Sequence, residues 1–394
     1  MPGKPKPQFS YFVSHGNVSV TSRSPIWQQP LPVNRSLSPA AGDRPPSYGD
    51  YFTAVRTFLE NTGGEFVSHA IQERSEPETK PVKIRRIRVN LEKHGEFYHP
   101  AHLQVLTGHQ EISFVLNVAV SETGIRHIMD EYRCLQKLNS EFDHSFLPRV
   151  YGIGEVTAAG NRRIRMFLGQ WFEDYHEFHL TRSSSDNKSR IAVWLPRNNR
   201  FFLSLEQSRE LYRQAARILA YYYDVETFLH ISAWHHAAGD FIVRVNAAGL
   251  DVKLITVRRY TPLLTNVESL ENTESPELIL QALLIFFLKL SIRTRLDRLD
   301  GVGDMVWAEP ASVGPTLAGF AEGLALKPPV RALPDTIERC FRYYLSVCSR
   351  QDLYDLIDAV AKSYHPDTAE HRLLRRNIDE HVETLSGAIS TLCR

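Results

Sequence analysis

The hydrophobic period changes once between residues 82 and 139, and this change constrains the fold more than any other feature of the chain. Residues 82–92 alternate apolar and basic side chains, which is the period of a half-buried strand. Residues 111–120 are apolar on both faces over several positions, which predicts a central strand. In residues 124–139 the apolar side chains recur at helical spacing, so one face of a helix is buried. The sequence therefore predicts a sheet with one helix beside it.

The remainder of the chain shifts from strands to helices. Residues 146–155 and 162–172 return to strand character. Residues 204–231 then show one long amphipathic pattern, and residues 241–260 predict a hairpin. Mostly helical patterns follow to the C-terminus. We therefore expect an α+β chain with a smaller β-rich N-terminal lobe and a larger, mostly helical C-terminal lobe.

Composition adds boundaries to this outline. Residues 1–47 contain nine of the 22 prolines, together with many Ser and Gln residues, which predicts a disordered arm. Residues 48–81 are expected to form a helical extension and a linker, residues 82–172 the β-rich lobe, and residues 173–394 the mainly helical lobe. The Pro-rich arm also offers a route by which a protein partner could bind.

Charge and cysteine content limit the class of protein. A formal net charge of +1 does not favour nucleic acid or an anionic membrane surface as a partner. Four cysteines without a CxxC spacing fit a reducing compartment. The most hydrophobic run, residues 279–292, is too short to span a membrane, and the N-terminus lacks the apolar region of a signal peptide. We therefore expect a cytoplasmic protein.

The stretch "AWHHAAGDF" joins the long helix to the hairpin. Its small residues predict a tight turn that delivers Asp240 to the start of a strand. Asp240 could accept a proton from a substrate hydroxyl, or it could cap the turn. His235 and His236 are adjacent and would point to opposite sides of an extended chain, which argues against a shared metal. Each could brace the loop, and His236 is the candidate for a catalytic role.

Four segments carry a resemblance to a known family. They are "FVLNV" (114–118), "DEYRCLQKL" (130–138), "MFLGQWFEDYHEF" (166–178) and "AAGDFIVRV" (237–245). Their order resembles a two-lobed protein-kinase-like fold, closest to the aminoglycoside phosphotransferase and choline kinase branch, over roughly residues 82–300.

This resemblance implies roles for individual residues. Asn117 stands where a strand lysine would bind phosphate, and Glu131 where its glutamate partner would lie. The third segment resembles the hinge that holds adenine, which implies nucleotide contacts from residues 170–172, namely Gln170, Trp171 and Phe172. Asp240 stands at the position of the catalytic base and would also bind the metal.

The sequence departs from the family pattern at several of these positions. Asn117 cannot place a positive charge on the phosphates, so Lys93 is the candidate to replace the lysine. No asparagine follows Asp240 before the strand begins, and Thr256 and Val257 stand where a second metal-binding aspartate is expected. A Mg²⁺ ion would then rest on Asp240 alone, or with help from residues 295–304, whose alternating charge is typical of a solvated helix end.

Two functions follow from the resemblance. The first is an atypical phosphotransferase that uses ATP and Mg²⁺ on a small molecule, with Asp240 as the base. The second is a catalytically inactive kinase-like module, a pseudokinase, that binds or regulates a partner. The replaced motif residues favour the second function, and the retained Glu131 and Gly-Asp-Phe turn favour the first.

Overall fold

The computed structural model of the chain describes residues 7–13, 18–32, 45–74, 83–95, 97–108, 110–183, 186, 188–196, 199–235, 239–247, 249–264 and 275–393. The chain divides into two compact units, residues 1–173 and 174–394, which are described separately.

The first unit is built on a seven-stranded sheet. Its elements are β1 (Gln8–Val13), β2 (Val18–Val20), α1 (Tyr48–Glu60), α2 (Thr62–Arg74), β3 (Ile84–Leu91), β4 (Ala101–Thr107), β5 (Gln110–Ala119), α3 (Glu122–Glu141), β6 (Val150–Ala158) and β7 (Arg162–Gln170). The strand order is β2-β1-β3-β4-β5-β7-β6. Strands β1 and β3 run parallel, and the other neighbours are antiparallel.

Helices cover both faces of this sheet. On one face, Phe52 of α1 and Val67 of α2 join Leu116 of β5 in a single buried core. On the other face, Tyr132 of α3 contacts Phe167 of β7, with ring centroids 5.8 Å apart. Strand β5 is therefore buried between two helical layers, which confirms the prediction of a central strand and explains why its sequence is apolar on both sides.

The N-terminal segment differs from the expected disordered arm of residues 1–47. In its described part, β1 adds a strand to the sheet and residues 25–28 form a short 3₁₀ helix. The rings of Tyr11 and Trp27 lie 4.9 and 6.0 Å from that of Phe52, so aromatic packing anchors the segment. The high proline content of the segment predicted disorder, although the segment also carries the apolar side chains that anchor it. The rest of the arm lies outside the described residues.

The helices expected in residues 48–81 are present as α1 and α2, and they belong to the same compact unit as the sheet. Helix α1 begins at a capping box in which Ser47 and Asp50 bond each other's backbone N–H groups. The ring of Phe58 lies 6.3 Å from that of Phe66. An added Cβ at Gly152 of β6 would lie 2.4 Å from the Phe66 ring, so a glycine lets α2 approach the sheet closely.

The second unit combines a small sheet with helices. Its elements are β8 (His176–Arg182), β9 (Ser189–Trp194), β10 (Arg200–Phe202), α4 (Leu205–Tyr221), β11 (Leu229–Ile231), β12 (Phe241–Asn246), β13 (Gly249–Leu254), β14 (Tyr260–Pro262), α5 (Pro276–Arg295), β15 (Leu296–Arg298), β16 (Met305–Trp307), α6 (Val313–Ala325), α7 (Ile337–Val347), α8 (Arg350–Lys362) and α9 (Ala369–Leu392). Five strands form one sheet in the order β10-β9-β8-β12-β13.

The predicted fold class is confirmed, since the chain is α+β with a β-rich N-terminal part and a mostly helical C-terminal part. The predicted hairpin is present as β12 and β13, and the long predicted helix ends early, at Tyr221. Helix α5 contains the most hydrophobic run of the sequence and is buried. Within the described ranges, no helix is both long and apolar enough to cross a membrane.

A glutamine of α4 closes one edge of the second sheet. Gln214 donates from Nε2 to the carbonyl of Leu250 at 2.7 Å. Its Oε1 accepts the N–H of Val252 at 2.9 Å. The side chain thus bonds two backbone groups of β13 as a neighbouring strand would.

Replacing Gln214 with leucine should destabilise the protein. The change keeps the apolar contacts of α4 but leaves two buried backbone groups of β13 without their partner, at a cost on the order of 1–3 kcal/mol. Urea unfolding measures the loss. The exposed Gln351 of α8 provides the matched control, because Gln351→Leu should change stability by less than about 0.5 kcal/mol. Equal effects of the two changes would contradict this role of Gln214.

Candidate functional site

Asp240 lies at the start of β12 and is completely buried. Its Oδ1 accepts a hydrogen bond from Nη2 of Arg258 at 2.6 Å, and its Oδ2 accepts one from Nη1 at 3.1 Å. The backbone N–H of His235 donates to Oδ2 as well, at 2.9 Å. The carboxylate is therefore neutralised by a two-pronged ion pair and also caps the preceding turn.

The residue before Asp240 is a glycine in a conformation that favours glycine. Gly239 has a φ of +66°, a left-handed conformation that side chains disfavour. A Cβ there would lie 2.8 Å from the carboxyl carbon of Glu177 on β8, which is the end of a flexible side chain. Asp240 directly precedes a strand, as expected, while residues 236–238 of the predicted tight turn lie outside the described residues. His236, the other catalytic candidate, lies outside the described residues.

Two arginines fix the loop around Asp240. Arg258 belongs to the segment between β13 and β14, whose Ile255 N–H donates to the carbonyl of Asp240 at 2.8 Å. Arg293 of α5 donates to the carbonyl of Ser232 at 2.6 Å and also to that of Trp234. Arg293 therefore holds the carbonyl groups of Ser232 and Trp234, and Arg258 holds the carboxylate of Asp240.

A buried aspartate lies beside His235. Burial raises the pKa of Asp297, in β15, to about 6, and burial together with nearby arginines lowers the pKa of His235 to about 4. Asp297 is only 4% exposed, and its Oδ1 is 4.0 Å from Nδ1 of His235. Between these pKa values both side chains are neutral, so they form no ion pair there. The expectation of a solvated helix end in residues 295–304 does not hold for Asp297.

In the first unit, a strand and the helix that follows it carry two of the residues that the resemblance singled out. Asn117 lies in β5 opposite Phe167 of β7, on the face that α3 covers. Glu131 of α3 is 2% exposed, and its Oε2 accepts a hydrogen bond from the hydroxyl of Tyr98 at 2.7 Å. Lys93 is exposed in the segment after β3. The structure thus gives the glutamate a neutral tyrosine donor.

The expected hinge residues have contacts inside the first unit. The ring of Trp171 stacks on His102 of β4, with centroids 4.0 Å apart and planes 9° apart. His102 lies opposite Val115 of β5, so the side chains of His102 and Val115 lie on the same face of the sheet as that of Asn117. Gln170 donates its N–H to the carbonyl of Arg149 at 2.8 Å, which extends the pairing beside β6. Phe172 follows and is half-buried.

The residues around Asp240 do not fit a Mg²⁺ ion in this arrangement. Both carboxylate oxygens face Arg258, and a hard cation needs such oxygens for itself. Across the part of the chain that the structure describes, no three His, Cys, Asp or Glu side chains converge as a metal site would require. The roles proposed from the sequence for Asp240, as base and as metal ligand, stay predictions.

Sequence reasoning missed Arg258, Tyr98 and Asp297. Arg258 stands beside Thr256 and Val257, the position where a second metal-binding aspartate was expected, and an arginine there is not part of the family pattern. Tyr98 stands in a segment of mixed aromatic and histidine residues that the sequence does not pair with any helix. A buried role for Asp297 was hidden because alternating charges usually indicate a solvated surface.

Comparison with known proteins identifies no family for this chain. No protein-family model matches the chain, and no curated protein matches it. Among solved structures, that of WaaP in complex with acyl carrier protein matches over 75% of this chain and 87% of that chain, with 10% sequence identity and a TM-score of 0.26. A similarity at this level supports no statement about the function of this protein.

Replacing Arg258 with leucine should strongly destabilise the protein. A buried carboxylate without its counter-ion costs about 3–5 kcal/mol. The same change made in an Asp240→Asn background should cost much less, because an amide carries no charge. Urea unfolding of the four proteins of this double-mutant cycle measures the coupling between the two side chains. A coupling near zero would show that the ion pair does not determine the stability of this loop.

Stability should fall as the pH decreases from about 7 to about 5. Burial lowers the pKa of five histidines from 6.5 to about 4, or to about 3 for one of them, so the unfolded chain binds protons in this window that the folded chain does not. They are His99, His102, His230, His235 and, with the lowest pKa, His381. Asp297 opposes the trend, because its raised pKa gives stability that is lost as the pH rises through about 6.

A single substitution tests the histidine contribution. His381→Gln should reduce the loss of unfolding free energy between pH 7 and pH 5 by about 2 kcal/mol, since one completely buried histidine accounts for that amount. His69, which is exposed, is the matched control, and His69→Gln should leave the pH dependence unchanged. If His381→Gln has the same pH dependence as the wild type, burial of this histidine is not what couples folding to protons.

Proposed function

We propose that the chain is a catalytically inactive kinase-like module that binds or regulates a partner. The observation that carries this proposal is the guanidinium of Arg258 on both carboxylate oxygens of Asp240. The order of elements in the first unit supports the kinase-like part, since β5, α3, β6 and β7 follow one another as the resemblance implies.

The first argument concerns the base. A general base must reach the proton that it abstracts through a free oxygen at hydrogen-bond distance. Asp240 has no exposed surface, and three N–H groups already donate to its two oxygens. This environment suits a structural anion better than a proton acceptor.

The second argument concerns the phosphates. Transfer of a phosphoryl group depends on fixed positive charge that stabilises the transition state. The strand position offers Asn117, which is neutral, and Glu131 accepts a hydrogen bond from Tyr98. Replacing an ion pair by a neutral hydrogen bond preserves the packing of α3 on the sheet. It leaves no lysine on this strand to hold a phosphate.

The alternative is a phosphotransferase with Asp240 as the base and ATP and Mg²⁺ as cofactors. The position of Asp240 favours it, because the carboxylate follows a glycine turn at the mouth of a strand. Catalysis would then require Arg258 to leave Asp240 when a metal and nucleotide bind. The metal ion would have to replace Arg258 as the positive charge that compensates the buried carboxylate.

Thermal unfolding with nucleotides separates these functions. We expect ATP and ADP, with and without Mg²⁺ or Mn²⁺, to produce no metal-dependent rise in the unfolding temperature, because Arg258 occupies the ligand oxygens of Asp240. The matched variant is Asp240→Asn, which keeps the shape of the side chain. A metal-dependent nucleotide stabilisation that is present in the wild type and absent in Asp240→Asn would overturn the inactive module and support the phosphotransferase.

A further inference from the structure

The second unit contains a cavity of about 390 Å³ that is separate from Asp240. Its walls are β8, β9, the start of α4 and the segment that leads into α6. Small-molecule sites in proteins commonly have volumes of about 300–1,000 Å³, so the cavity can hold a compact organic molecule.

Three cationic side chains lie on the polar wall of this cavity, together with four serines and Tyr212. Lys188, Arg190 and Arg209 line it, and Glu309 is the one carboxylate among the lining residues. Arg190 also pairs with Asp186 at the surface. Arg209 is exposed and makes no ion pair with any residue that the structure describes. The cavity therefore presents an excess of positive charge, which favours an anionic ligand.

Helix α4 adds to this positive field. Its N-cap, Ser204, lines the cavity, and its side chain accepts the N–H of Gln207 at 3.1 Å. The N-terminal end of a helix carries partial positive charge that stabilises anions. The helix end alone would not define a site, but here it opens into a cavity where a free guanidinium and an ammonium group also lie.

The remaining wall of the cavity is apolar. Leu180, Ile191 and Leu203 line it and are buried. These side chains are only 4–5% exposed, so an apolar body in the cavity would cover the small surface that they still present and gain a modest hydrophobic free energy that an inorganic anion would not. The chemistry of the wall thus combines a cationic part with an apolar part.

We propose that this cavity binds a small organic anion whose phosphate or carboxylate group contacts Arg209 and Lys188 and whose apolar body contacts Leu180, Ile191 and Leu203. This ligand site is independent of whether Asp240 is catalytic. It gives the chain a small-molecule site even when the kinase-like positions bind no nucleotide.

Calorimetric titration of the full chain tests the proposal with four probes. Phenyl phosphate and benzoate carry both an anion and an apolar ring, while inorganic phosphate lacks the ring and phenol lacks the strong anion. We expect saturable binding of phenyl phosphate, benzoate or both, and weaker binding of the other two probes. Absence of saturable binding by both organic anions, or equally tight binding of phenol, would overturn the proposal.

Variants locate the binding. Arg209→Gln should raise the dissociation constant of the bound organic anion about tenfold, since one charge-assisted hydrogen bond is lost. Arg331→Gln, an exposed arginine outside the lining, is the matched control and should have no effect. Thermal unfolding verifies that each variant is folded, and Lys188→Gln serves as the second variant. Affinity unchanged in both Arg209→Gln and Lys188→Gln would show that the anion binds elsewhere and the proposal is wrong.

Discussion

A completely buried carboxylate needs a compensating charge, and this requirement organises the centre of the second unit. Arg258 meets it with both ends of its guanidinium group on Asp240. Because Arg258 follows β13 and Asp240 precedes β12, the ion pair ties together the two ends of the hairpin. Arg293 then binds the carbonyl groups of the preceding segment. The hydrogen bonds from Arg258 also occupy the two carboxylate oxygen atoms that a general base or a metal ligand would use.

The first unit handles its buried polar groups differently. Its sheet is covered by helices on both faces, so the side chains of Asn117 on β5 and Glu131 on α3 are buried rather than in solvent. Tyr98 donates one neutral hydrogen bond to the glutamate. Because Asn117 is neutral, apolar packing such as that of Tyr132 on Phe167 holds α3 on the sheet in place of an ion pair between these two positions.

The sequence predicts those parts of the fold that local periodicity encodes. Strand β5, helix α3 and the β12–β13 hairpin follow from side-chain spacing over a few residues. Strands β8 to β10 escaped prediction as a sheet because polar residues interrupt them, and β1 because its partner β3 lies far along the chain. The site partners were missed for the same reason, since Arg258 is 18 residues from Asp240 and Tyr98 is 33 from Glu131. Composition and local spacing do not show which residues contact each other when they are this far apart in the sequence.

The glutamine that bonds β13 has a further consequence for how this protein meets other chains. A strand with free backbone groups is a template for intermolecular pairing and fibre growth. Among the described strands, β13 and β10 form the two borders of their sheet. Gln214 occupies the first border, and the second is only three residues long and carries Arg200. Both borders of the sheet are thereby less suited to pair with a strand of a neighbouring molecule.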